Sequence, residues 1–164
     1  MKCKNCKKTS FKKILKLGKQ PLSGFFYDRK ITNLKTYSLD LYRCNNCNLV
    51  QLNNEFISNE LFGKKYGYET AVSNLMVSHL NEKKKRFIKD KYVRKKSKIL
   101  DIGCNDGTFL NLFKNSYELF GIDPSAIKFK KNYNKNIKLI TDYFSKKNLL
   151  AKIDKKTKFD LITS

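Results

Sequence analysis

No run of apolar residues in this chain approaches the 18 that a bilayer span requires, so no segment is expected to cross a membrane. The basic, cysteine-rich start has no apolar stretch behind it, so a secretory leader is not expected either. Acidic residues are few: 14 Asp and Glu stand against 36 Lys and Arg, a formal charge of +22 over 164 residues. Arginine is scarce within that excess, which leaves few planar forks for phosphate or guanine. Lysine is spread along the whole chain together with Asn and Ile, a bias that AT-rich coding produces. Nucleic acid is therefore possible but disfavoured as a partner, and a small anionic substrate suits the same positive field. Histidine occurs once, at His79. Five cysteines cannot all pair as disulfides, and together with the missing leader they point to a cytoplasmic protein. The apolar fraction of 40% is that of a packed chain, not a disordered one.

Four of the five cysteines fall in two C-x-x-C pairs, Cys3/Cys6 and Cys44/Cys47. That spacing supplies four thiolates, enough to close a tetrahedral zinc site with no open position for water. Such a site is structural and does no chemistry. Lys2, Lys4, Lys7 and Lys8 offset the negative charge of a zinc tetrathiolate. Two redox C-x-x-C pairs are the alternative, and the thioredoxin-like βαβ context they need is absent.

Residues 1–55 read as a β-rich zinc module, 56–97 as a helical connection and 98–164 as an alternating strand-helix domain. In the first, Tyr37, Leu39 and Leu41 alternate with polar neighbours as one strand running into Cys44, and Leu49 to Leu52 form another. In the second, Ser58 caps a short helix over Glu60 to Lys65, and Thr70 opens a long one. Its apolar face holds Val72, Leu75, Met76, His79, Leu80, Phe87, Ile88 and Tyr92, expected in the core. Lys83 to Arg86 lie on its solvated face. In the third, strands are expected over Lys98 to Ile102, Tyr117 to Ile122, Ile137 to Thr141 and Phe159 to Thr163. A helix is expected around Thr108 to Lys114, and another with Pro124 at its first position. The alternation predicts α/β architecture with a parallel sheet.

The strand Ile99 to Ile102 leads into Gly103-Cys104-Asn105-Asp106-Gly107-Thr108, a tight turn and a helix start. Glycines at 103 and 107 let the backbone approach a ligand closely. A dinucleotide fingerprint needs glycines at 105 and 108, where Asn and Thr stand, and a Walker A loop is absent. Cys104 reads as a small turn residue, not a nucleophile. A second acid, Asp123 before Pro124, closes the second strand, and Asp142-Tyr143-Phe144 follows the third.

The order from Asp101 through Gly103, Asn105 and Gly107 is similar to the cofactor loop of class I methyltransferases, which bind S-adenosylmethionine on a Rossmann-like sheet. That resemblance implies that Asp123 and Pro124 meet the ribose, that Asp142, Tyr143 and Phe144 hold the adenine, and that Asp101 and Asp106 add negative character suited to a sulfonium. More of the chain resembles the deoxysugar C-methyltransferases: Leu17 to Ser23, Tyr42 to Leu52, Tyr66 to Thr70 with Ser73 and His79, and Leu100 to Leu110. The family implies a zinc-binding domain before a methyltransferase domain, methylation at carbon of a nucleotide-linked keto-sugar, and a tyrosine near the reacting centre, here Tyr68. His79 reads as a packing or capping histidine. The family also implies further strands, a base and a sugar-binding domain past Ser164. The chain is therefore expected to be a truncated N-terminal part, inactive alone. A zinc-containing ribosomal-RNA methyltransferase and a non-catalytic zinc-ribbon interaction module are the competing readings. For the RNA reading, Phe25 to Tyr27 with Arg29 and Lys30 is the candidate contact.

Overall fold

A computed structural model of the chain describes residues 1–24, 26, 29–53, 61–63 and 66–164. The helix expected with Ser58 as its cap falls largely on residues 54–60 and 64–65, outside the described residues. The aromatic-basic segment beginning at Phe25 also falls partly outside them. The chain divides into two compact units, Met1–Leu61 and Phe62–Ser164.

The first unit is built from short antiparallel strands. β1 (Phe11–Leu15), β4 (Leu41–Cys44) and β5 (Val50–Leu52) form one sheet in the order β1-β4-β5, while β2 (Lys19–Pro21) pairs with β3 (Thr36–Ser38). The single strand expected from Tyr37 to Cys44 is thus two strands in two sheets. The break has a physical cause. Leu39 donates its N–H to the Gly18 carbonyl at 2.9 Å, and Asp40 turns inward to an ion pair with Lys13 at 2.8 Å. A period-two pattern carries no sign of that pairing.

The second unit is an α/β layer. Its parallel sheet holds β6 (Lys98–Ile102), β7 (Glu118–Ile122), β8 (Ile137–Ile140) and β9 (Leu161–Thr163) in the order β8-β7-β6-β9. Successive side chains alternate between faces. Ile99, Leu119 and Ile137 therefore join Leu110, Phe109 and Phe113 on one face, while Leu100, Phe120, Ile122 and Ile140 meet Leu149 on the other. The chain runs outward from β6 to β7 and β8, then crosses to β9 on the far side. That reversal opens a crevice at the carboxyl ends of β6 and β9, where ligands bind in open α/β sheets.

The helices around the sheet include α1 (Asn74–Lys89), α2 (Thr108–Asn111) and α3 (Lys146–Leu150). α1 begins later than expected. Thr70–Val72 is a separate 3-10 turn, and Ser73 is the true cap, its hydroxyl accepting the Met76 N–H. α2 is one turn, shorter than expected. Pro124 stands just before a 3-10 stretch, Ser125–Asn132, instead of inside an α-helix. α3, capped by Ser145, has no counterpart in the sequence reading.

The expected core face of α1 is also corrected. None of its residues is buried; Leu80 and Phe87 pack on the core, but Leu75 is 82% exposed and His79 is exposed, not inward. The helix leans on the unit along the narrow line Met76, Leu80, Lys83 and Phe87, and the wider stripe runs round its side. Among the described residues no helix is long and apolar enough to cross a membrane.

Candidate functional site

In the first unit the two C-x-x-C turns share one backbone plan. Lys7 and Asn48, each directly after the second cysteine of its pair, take left-handed conformations, with φ of 62° and 60°. Each returns its N–H to the carbonyl of the first cysteine, Lys7 to Cys3 and Asn48 to Cys44, both at 3.0 Å. A non-glycine residue there costs about 1–2 kcal/mol, which the local hydrogen bonding must offset. Buried Gln51 ties the turns together, accepting the Lys4 N–H and donating to the Lys2 carbonyl. The sequence reading missed Gln51, because nothing distinguishes it from an outward strand glutamine.

These turns bring all four expected cysteines together. Their sulfurs lie within 4.8 Å of one another, with Cys3–Cys47 at 3.5 Å and Cys6–Cys44 at 3.6 Å. A tetrahedron with metal–sulfur bonds of ~2.3 Å has edges of roughly 3.8 Å. The sulfurs are thus spaced for a shared ion and too far apart for disulfides. The Leu49 N–H helps hold the Cys47 thiol down at about 6. Cys6 takes a hydrogen bond from the Lys8 N–H, yet burial and the neighbouring sulfurs push it up to about 11. Four bare thiolates repel one another, and a divalent ion removes that conflict.

In the second unit the loop after β6 is held from three sides. Asp123 accepts the Asn105 N–H at 2.9 Å and both the N–H and hydroxyl of Ser125 at 2.6 Å. The Tyr133 hydroxyl donates to the Asn105 carbonyl at 2.7 Å, and its ring lies against Gly107. Asn105, at φ 48°, donates to the Tyr68 carbonyl and accepts from the N–H and hydroxyl of Thr70. Asp106 accepts from the Ala71 N–H at 2.7 Å and from the N–H and hydroxyl of Thr108. Asn105 and Asp106 therefore fasten the 68–71 segment over the loop.

Two cavities meet above Gly103. The first, about 430 Å³, is lined by Tyr68, Asp101, Gly103 and Thr163 and by the inner line of α1. The second, about 470 Å³, is lined by Tyr68, Gly103, Asn105, Asp123, Pro124, Tyr143 and Phe144. A Cβ built on Gly103 would meet nothing within 4 Å, so the bare backbone faces open space. The buried Tyr143 hydroxyl has no hydrogen-bond partner among the described residues. Both features fit a ligand lying across the loop.

Of the expected site residues, Tyr68, Asp101, Gly103, Asn105, Asp123, Pro124, Tyr143 and Phe144 line these cavities, while Asp106, Gly107 and Asp142 line neither. Asp142 is exposed and accepts the Tyr143 N–H. Thr163, Ser125 and Tyr133 were missed. Thr163 ends a strand with no polar motif, and Tyr133 reaches the loop from a 3-10 stretch far along the chain. Lys83, expected on a solvated face, is exposed and also lines the first cavity.

Burial raises Asp101 to about 6, with the Thr163 hydroxyl opposing and the Asp123 charge adding. Burial also pushes the Cys104 thiol up to about 12 against its Tyr133 hydrogen bond, so it stays neutral and unreactive.

Comparison with known proteins agrees with this geometry. A family model described as "Putative zinc binding domain" matches residues 3–62, and one described as "Methyltransferase domain" matches residues 71–164. No curated protein matches the chain. The second match covers more than half of the sequence, so the chain belongs to the class I methyltransferases, enzymes that take their methyl group from S-adenosylmethionine, and it carries a four-cysteine structural zinc module.

Proposed function

We propose that the chain serves S-adenosylmethionine-dependent methylation at carbon of a nucleotide-linked keto-sugar. The observation that carries this reading is the pair of cavities meeting at Gly103 and Tyr68, with Asp123 in one and Asp101 in the other. The second cavity suits an adenosine: Asp123 has about one of its four acceptor sites left for a ribose hydroxyl, Pro124 and Phe144 offer apolar surface, and the Tyr143 hydroxyl awaits a partner. Asp101 in the first suits a cationic group. Asn105, Asp106 and Gly107 shape the loop, and Asp142 fixes the start of the Tyr143 segment.

The bound cofactor supplies an electrophilic methyl on a sulfonium. Tyr68 lines both cavities, which supports a role beside that methyl, where its hydroxyl would donate a hydrogen bond to a developing enolate oxygen. A base would have to take the proton beside the keto group, and the carbon of the resulting enolate would accept the methyl that the cofactor would supply. The keto-sugar rests on the likeness of Tyr42 to Leu52, Tyr66 to Thr70 and Leu100 to Leu110 to the deoxysugar C-methyltransferases.

The test is transfer of a labelled methyl to a panel of nucleotide-linked keto-sugars. Carbon-bound label in a sugar is expected, and Tyr68→Phe should lower kcat at least tenfold with cofactor affinity within twofold. Label in ribosomal RNA, or oxygen-bound label, would overturn the substrate assignment.

A further inference from the structure

Two opposite charges face the first cavity, and neither has an ion-pair partner among the described residues. Asp101 is buried at the end of β6 and is held only by the Thr163 hydroxyl at 2.7 Å. Lys83 reaches the same cavity from α1. Its neighbours on that line, Met76, Leu80 and Phe87, are all apolar, so Lys83 is the one charged residue of α1 that lines the cavity. An exposed lysine and a buried carboxylate that line one cavity and are not joined to each other describe a site for a ligand carrying both signs.

We propose that Lys83 binds the α-carboxylate of the methyl donor's amino-acid end, with Asp101 receiving its α-ammonium. The inference rests on the methyl-transfer reading above and adds the residue that recognises the far end of the cofactor. The adenosine would occupy the cavity of Asp123, and the chain of methylenes would pass Gly103 and lie on Leu80 and Phe87. A lysine fits this duty: its flexible stem lies along apolar surface while its head meets a carboxylate as a point charge. Carboxylate and ammonium both persist in the product, S-adenosylhomocysteine. The pair therefore contributes binding in both states and does not favour the transition state.

Calorimetry with two ligands tests this. S-adenosylhomocysteine has the zwitterionic end, and 5′-methylthioadenosine lacks it. The parent should bind the first more tightly. Lys83→Gln should weaken S-adenosylhomocysteine about tenfold and leave methylthioadenosine within twofold, while Lys83→Arg should keep most of the affinity. Lys89→Gln, on the exposed end of the same helix, should change neither. Equal loss for both ligands, no loss for either, or a parent indifferent to the amino-acid end would overturn the assignment of Lys83. A parent that binds neither ligand would overturn the cofactor reading with it.

Discussion

Asp123 and Asp101 are both buried carboxylates at strand ends, and their surroundings give them different duties. Asp123 accepts three hydrogen bonds from Asn105 and Ser125, so it is an organised anion with capacity left for a ligand. Hydrogen bonds to a charged group contribute roughly 1.5–3 kcal/mol, so Asp123→Ala should weaken S-adenosylhomocysteine binding by about 10- to 100-fold. Calorimetry giving parent-like affinity would remove Asp123 from the site. Asp101 has one hydrogen bond and is raised to about 6, chiefly by burial. Thr163, Asp123 and Cys104 are the polar and charged groups that act on it, and Tyr68, Thr70, Lys83 and Ser164 line its cavity with them. A carboxyl raised on folding contributes stability that is full below the unfolded value of about 4 and lost as pH rises through about 6. A cationic ligand needs the ionised form, so cofactor affinity should rise over the same window as stability falls. Asp101→Asn should flatten both profiles, gaining stability near pH 8 while losing affinity. Parent affinity that is unchanged between pH 5 and 8 would contradict this account.

At the scale of elements, the loop between β6 and α2 uses its two glycines for different purposes. Gly103 and Gly107 both have positive φ, but only Gly107 is walled in: an added Cβ would come within 2.8 Å of the Tyr133 ring. Gly107→Ala should therefore destabilise the unit by about 1–3 kcal/mol, from backbone strain and overpacking together. Gly103→Ala pays the backbone strain alone, yet its methyl enters the ligand space. Denaturant unfolding should rank Gly107→Ala the less stable, and calorimetry should rank Gly103→Ala the weaker binder. The opposite ranking would mean that the ligand does not cross Gly103. The four parallel strands were legible because each is a short apolar run between turn residues. The start of α1 was not, since Thr70 and Ser73 are both plausible caps. Only the pull of Asn105 on Thr70 and of Asp106 on Ala71 settles the first into a 3-10 turn. Those contacts join residues 35 apart in sequence, which no local pattern encodes. Lys83 is exposed, as expected, but that it also lines a cavity was hidden for a similar reason. Helical spacing says which residues share a face, but not how much of that face the sheet will cover.

Across the whole molecule the two units are stabilised by different means. The second has two apolar clusters, one on each face of its sheet. Among the described residues of the first, the buried ones are Cys3, Cys44, Asp40 and Gln51; its exposed apolar side chains include Ile14, Leu15, Leu17 and Val50. Two thiols, a carboxylate and an amide do not make a hydrophobic core, and a unit this small depends on a staple. Zinc held by Cys3, Cys6, Cys44 and Cys47 fills that need, because structural zinc contributes on the order of 10–16 kcal/mol in small modules. Its ligands must be deprotonated, so acid should release it as thiolates regain their protons. The purified protein should carry one zinc per chain by elemental analysis. Cys44→Ser should lose it and with it the slow amide exchange of β4 and β5, while Cys104→Ser should leave zinc content unchanged, since Cys104 lies in the other unit. If the Cys44→Ser protein kept its amide protection over residues 41–52 with no metal bound, hydrogen bonding through Gln51 and the Asp40–Lys13 pair would have to hold the unit by themselves.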